Sequence, residues 1–303
     1  MRNNMTITIV FLAESANYGE GFGNISSLKK MSRGDYQQYS YISRQALRYS
    51  LISQLGWDNT GVDGKSGVVQ FEPSATIKEY PEIDLFGYMK TTAKNEDSKG
   101  GASTRRAVAR LSNAISLEPY QGDLDFLTNM GLAQNPNRRK EKKDEKNEKK
   151  LDNAIAQSEI HRAYYSYTVT IDLEKVGVDG DVVLPQEEKT NRVQTLLDGI
   201  QYLYRDIRGR RENLSPLFVI GGRYEIGLPF FENRIMVEKN AIKVETLEEL
   251  IKDNEQVAKN TKVGVVTGIF ANDNNIKEQL SATSVGTVFQ QLKEEVKQYY
   301  EGN

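Results

Sequence analysis

One run constrains the fold more than any other: Thr6–Ala13, TITIVFLA, alternates polar with β-branched side chains and then turns continuously apolar. That is the pattern of a strand buried near the centre of a sheet, where both faces are covered. Ala163–Leu173, AYYSYTVTIDL, is aromatic, β-branched and alternating, and predicts a second strand. Leu217–Ile220 predicts a third, ending in Gly221, Gly222 and Arg223.

Two helices are expected between these strands. Over Ile42–Leu55, Ser43 stands at the N-cap, Ile42 and Leu47 form a hydrophobic staple, and Leu47, Leu51 and Leu55 recur every four residues before Gly56 stops the helix. Thr190–Ile207 places Val193, Leu196, Leu197, Ile200, Leu203 and Ile207 on one stripe. The order strand, helix, inserted material, strand, helix, strand is the skeleton of an α+β, ferredoxin-like or RNA-recognition-motif fold with long insertions.

The remaining stretches are read as follows. Met1–Asn4 form a dispensable leader, and Glu14–Tyr39 a long polar loop with four glycines. Asn59–Pro81 is a glycine-rich turn region with a short strand at Val68–Phe71, TTAKNEDSKGG is an exposed loop, and Asp123–Met130 a short helix. Val237–Val244 adds strands, Thr246–Glu249 is a capping box, Val263–Phe270 is a strand and Val285–Tyr299 a final amphipathic helix. Within Ala133–Asp152, the segment RRKEKKDEKNEKK carries eight basic and four acidic residues and no apolar side chain, so it cannot be core. It reads as a solvated tip or as an arm in contact with a phosphate backbone.

Composition excludes several chemistries. With no cysteine there is no disulfide, thiolate metal site or cysteine nucleophile, which fits a reducing cytoplasm. A single histidine, His161, rules out zinc sites built on several histidines. No pair of carboxylates falls in a recognisable catalytic frame. The net charge of −2 points away from nucleic acid in bulk, so any such binding rests on local patches. The apolar run Ile7–Ala13 is too short to span a membrane, and the chain is expected to be soluble and cytoplasmic.

Three local patches qualify. Arg44, Gln45 and Arg48 cluster on the first turns of the helix begun by Ser43, where open N–H groups and arginines make an anion site; an ordinary solvated helix face reads equally well. Arg105 and Arg106 form a paired edge suited to phosphate oxygens, or two solvated surface residues. Lys29, Lys30 and Arg33 lie in the glycine-rich loop beside Tyr36 and Tyr39.

The series formed by the N-terminal strand, Asn17 and the loop lysines, YISRQALRYSL, DLFGYM, STRRAVARLSNAISLEPY, the charged arm, AYYSYTVTIDL and FVIGGRYEIGLPFF resembles the DevR family over roughly residues 5 to 230. The resemblance is to CRISPR-associated protein seven, the backbone subunit of type I-B Cascade-like complexes. It implies an RNA-recognition-like palm from residues 5–58, 163–230 and 231–303 of one domain, a finger insertion of about 59–125 and a thumb-like arm of about 127–162. It also implies that copies polymerise along guide RNA (crRNA), each thumb reaching over RNA held by its neighbour. On that resemblance Asn17, Lys29, Lys30, Ser43, Arg44, Gln45, Arg48, Arg105, Arg106 and the turn Gly222-Arg223 are the RNA-binding residues. The block DLFGYM links palm and fingers and carries no RNA contact. The implied partners are guide RNA, other copies of the chain, other Cascade subunits and, through the guide, a target DNA strand, with no cofactor and no membrane.

Two other functions compete with this non-catalytic role in antiviral defence. Relatives in type III complexes cleave RNA with a loop aspartate, and Asp35 lies in a suitable loop. The family's autoregulator name implies a transcription regulator, although no helix-turn-helix pattern is present.

Overall fold

The computed structural model describes residues 3–64, 67–92, 101–128, 130 and 155–302. Strand β1 (Asn4–Ala13) is followed by β2 (Tyr18–Phe22), β3 (Ile25–Leu28), β4 (Lys30–Ser32), β5 (Gln38–Ile42) and helix α1 (Arg44–Gln54). Next come β6 (Val62–Asp63), β7 (Gln70–Phe71), α2 (Pro81–Phe86), β8 (Tyr88–Thr92), β9 (Gly101–Arg105), β10 (Ala109–Leu111), β11 (Ala114–Ser116) and β12 (Asp123–Thr128). The chain continues through β13 (Ile155–Ile160), β14 (Ala163–Asp172), β15 (Val178–Asp179), β16 (Val182–Val183), α3 (Gln186–Gln201), β17 (Tyr204–Ile207), β18 (Arg210–Asn213) and β19 (Phe218–Tyr224). It closes with β20 (Val237–Glu238), β21 (Ala241–Ile242), α4 (Val244–Lys252), α5 (Glu255–Asn260), β22 (Lys262–Val265), α6 (Asp273–Gln279) and α7 (Val285–Glu301).

The main sheet runs β22-β19-β1-β14-β11-β5-β4, with β10 also paired to β14. β1 pairs antiparallel along its whole length with β14, from Asn4↔Asp172 to Ala13↔Ala163, and with β19 on its other edge. Its odd residues Met5, Ile7, Ile9 and Phe11 pack with Leu47 and Leu51 of α1, Leu196 of α3 and Phe289 of α7. Val10 turns to a second core with Phe218, Ile220, Leu247 of α4 and Ile276 of α6. Both faces are therefore covered, which is why the run reads as continuously apolar. Truncating a core leucine such as Leu47 to alanine costs about 2–5 kcal/mol.

The inserted segment before β10 carries its own small core of Ala75, Ile77 and Ile83. A buried charge cluster ties it to the rest. The fully buried Asp84 accepts from Arg105 at 2.6 Å, from Arg192 of α3 at 3.0 Å and from the Gly177 N–H at 3.0 Å. Arg192 also donates to the Ile77 and Lys78 carbonyls, so one guanidinium holds both sides of the seam.

Several expectations are corrected. Asn4 belongs to β1 and is buried, and the Asn3 N–H donates to Glu174, so the leader does not reach these residues. Glu14–Tyr39 is not a loop but holds β2 to β4 and the start of β5; Gly23-Asn24 turns the β2–β3 hairpin, a short signal hidden among polar strands. Asp123–Thr128 is a strand because DLDFLT has the period of two that pairs with β13, not a helical stripe. Of the predicted strand Val68–Phe71, only Gln70–Phe71 is one.

The helix expected over Thr190–Ile207 begins at Gln186 and ends at Gln201, and Ile207 belongs to a hairpin closed by Arg208-Gly209. The first helix after β21 starts at Val244, so Thr246 is not its cap. Gly222-Arg223 is strand rather than turn. Gly221, at φ +155°, would place a Cβ 2.1 Å from the Thr6 carbonyl, and Gly222 one 2.0 Å from that of Asn260; close packing explains both glycines. Most of TTAKNEDSKGG and the whole of RRKEKKDEKNEKK lie outside the described residues.

Candidate nucleic-acid interface

Helix α1 starts as the local sequence dictates. Ser43 Oγ accepts from the Ala46 N–H at 3.3 Å, and Ile42 and Leu47 are both buried beneath it. Residues distant in sequence converge there. The Asn17 N–H donates to the Tyr41 carbonyl, the Asn17 carbonyl accepts from the Lys29 N–H, and Ser43 Oγ donates to Asn17 Oδ1 at 3.3 Å. From the other side, Asn113 Oδ1 accepts from the Arg44 N–H at 2.9 Å. Asn17, Lys29, Ser43 and Arg44 thus meet at one helix end, with Gln45 exposed beside them.

The charge of this cluster is largely unspent. Lys29 and Arg44 have no carboxylate within ion-pair distance among the described residues, and neither has Arg33, which lies at the other end of β5, where its N–H donates to the Gln37 carbonyl. The Lys29 stem lies across β2, where a Cβ at Gly19 would come within 2.6 Å of it. Arg33 stacks on Tyr39 at 4.1 Å, the cation and ring expected to be neighbours from the sequence. Arg48, one turn further along α1, pairs with Glu82 at 3.1 Å and sits over Phe86, so part of its charge is committed to α2.

Lys30 is different. Its ammonium pairs with Glu159 at 2.7 Å and covers the Tyr120 ring. Burial opposes ionisation of Glu159, but hydrogen bonds from Lys30 and the Leu28 N–H outweigh it and hold the carboxyl below its ordinary value. The pair clasps β4 to β13.

The Arg105-Arg106 edge does not form a fork. Arg105 is buried and saturated by Asp84 and by the Asp84, Lys175 and Val178 carbonyls, leaving only Arg106 exposed. Gly222 and Arg223 lie elsewhere: Arg223 opposes Met5, eight positions along β1 from Ala13, or about 26 Å at strand rise. It donates to Asn3 and lies over Tyr299.

His161 sits in a buried chain with Ser40, at 2.7 Å, and Tyr165, and burial pushes its imidazole below the ordinary value, so it is a neutral structural group. Asp35 accepts from the Tyr39 hydroxyl at 2.6 Å and from the Gln37 N–H, and these bonds lower its carboxyl. Asn113 was not foreseen, because nothing local marks a residue that caps a helix 69 positions earlier. No described helix is long and apolar enough to cross a membrane.

The family described as "CRISPR-associated negative auto-regulator DevR/Csa2" matches residues 5–231. The Cas7/Cst2/DevR protein of Myxococcus xanthus (strain DK1622) is 34% identical over 122 residues, which span 36% of this chain and 40% of that relative. Among solved structures, a chain of a "CRISPR RNA-guided surveillance complex, pre-nicking" is similar in fold at a TM-score of 0.60 and 10% identity, covering 97% of this chain and 100% of that one. A chain of another CRISPR RNA-guided surveillance complex gives 0.56 at 13% identity, covering 96% and 99%.

Proposed function

The chain belongs to the DevR/Csa2 family of CRISPR-associated proteins, and from that premise we propose that it is a non-catalytic subunit that binds guide RNA through its phosphates and polymerises along it in a Cascade-like surveillance complex. The observation that carries this reading is the meeting of Asn17, Lys29, Ser43 and Arg44 at the start of α1, where neither Lys29 nor Arg44 has a carboxylate within ion-pair distance among the described residues. Phosphate contacts of this kind position a strand without reading its sequence.

The topology supports an RNA-recognition-like palm. Along the chain β1, α1, β10–β11, β14, α3 and β19 follow the β-α-β-β-α-β order, and α1 and α3 share one face of the sheet. In this reading other copies, other Cascade subunits and the target strand are reached through the bound guide.

The test is affinity for unstructured single-stranded RNA of varied sequence across a salt series. Binding that is indifferent to sequence and falls steeply with salt is expected. Salt-insensitive binding, or preference for one duplex DNA site as a regulator requires, overturns the reading.

A further inference from the structure

Beside the α1 start, a groove runs between that helix and the β17–β18 hairpin. It is lined by Asn17, Tyr18, Tyr49 and Tyr204, so Asn17 is shared with the cluster described above. Tyr49 is 73% exposed. The hairpin behind it is rich in arginine, but most of that charge is cancelled. Arg205 pairs with Glu212, Arg210 and Arg162 with Glu14, and Arg211 with Asp206. Arg208 has no carboxylate partner among the described residues; its guanidinium stacks on Tyr18 at 4.0 Å and donates to Ser158 Oγ.

The backbone places Arg208 there against its own preference. Ile207 pairs with Arg210, so Arg208-Gly209 is a two-residue turn, and both residues are left-handed, at φ +50° and +77°. Such a turn favours asparagine and glycine, and an arginine at its first position is an outlier of the kind that points to a role for the side chain. The residual cation at this edge is thus the strained one, set on the face of Tyr18, which lines the same groove as the exposed Tyr49.

We propose that this groove binds one nucleotide of single-stranded RNA, Arg208 meeting its phosphate and Tyr49 stacking on its base. The inference rests on the RNA-binding reading of the α1 start and adds one contact to its track. Every ring offers a face to any base, so the contact is indifferent to sequence. The Asp206 carboxylate in the groove wall is neutralised by Arg211 and leaves the balance positive.

The experiment measures affinity of the full chain for a short unstructured RNA and for an abasic strand of equal length. Arg208→Gly, which relieves the turn, is expected to weaken RNA binding about ten-fold at low salt, flatten its salt dependence and leave melting unchanged or raised. Tyr49→Ala is expected to weaken RNA binding about five-fold and to leave abasic binding unaltered. If both variants bind RNA as the wild type does, the groove is empty of RNA and the inference fails. If Ser158→Ala reproduces the loss seen with Arg208→Gly, Arg208 acts by holding β13 and the inference also fails. A wild-type chain that binds neither strand overturns the RNA reading itself, and this one with it.

Discussion

At the Asp84 clasp, two arginines meet the buried Asp84 carboxylate and five backbone carbonyls, and with Glu188 on Arg192 every guanidinium nitrogen donates. At the start of α1, by contrast, the Lys29 and Arg44 side chains have no carboxylate within ion-pair distance among the described residues. The two regions are joined by Arg48, which reaches from α1 to Glu82 of α2. Charge that holds a fold is saturated by it, because an unpaired ion in the interior is costly. Charge kept for a ligand has to remain unsaturated and wet.

The sharpest way to break this contrast is Asp84→Ala. It removes the buried carboxylate that Arg105 and Arg192 share, leaving Arg192 only the half-exposed Glu188 and Arg105 only Asp179 at 3.6 Å, so thermal melting should show a loss of about 3–5 kcal/mol, whatever happens to RNA. Unchanged melting would mean the clasp holds nothing. Lys29→Ala and Arg44→Ala should behave in the opposite way, each weakening RNA binding by about 1–3 kcal/mol while stability stays within about 0.5 kcal/mol. Parallel losses of stability and affinity in these variants would erase the distinction between the two regions.

Arg48→Ala should fall between them. It removes a partly exposed ion pair worth about 0–1 kcal/mol and, in the proposed function, one phosphate contact. A smaller effect concerns the Lys30–Glu159 clasp. Because the Glu159 carboxyl is lowered, its contribution is complete above the ordinary carboxylate value near 4.5 and is lost as pH falls below it. Glu159→Gln should flatten that part of the acid melting profile. Smallest of all, Asp35→Ala should leave the integrity of incubated RNA unchanged, since no cleavage is expected at the start; metal-dependent cutting by the wild type that the variant lacks would establish a nuclease instead.

What could be read from the chain alone was whatever is written locally. Ser43, the staple of Ile42 with Leu47, and Gly56 at φ +66° all lie within fifteen residues, and α1 appeared where they put it. β1 and β14 were equally plain, because burial on both faces leaves its mark on every residue. Short polar strands such as β2 and β3 were not: their hairpin is local but its residues are polar, and β3 is fixed by pairing with β13 and by the Glu159 contact, both more than a hundred positions away. The two adjacent arginines failed for the same reason. Nothing in the string TRRAV says that Arg105 turns inward to an aspartate 21 positions earlier while Arg106 does not.

The register of β12 with β13 ends on Thr128↔Ile155, so two residues 27 positions apart in the sequence face each other about 5 Å apart. Whatever lies between them adds a closure cost that rises by only about 0.6 kcal/mol for each doubling of length. By that scaling, a change of length between the two strands costs the facing pair Thr128↔Ile155 little closure entropy, so the hairpin's register is a thermodynamically cheap place for the sequence to vary.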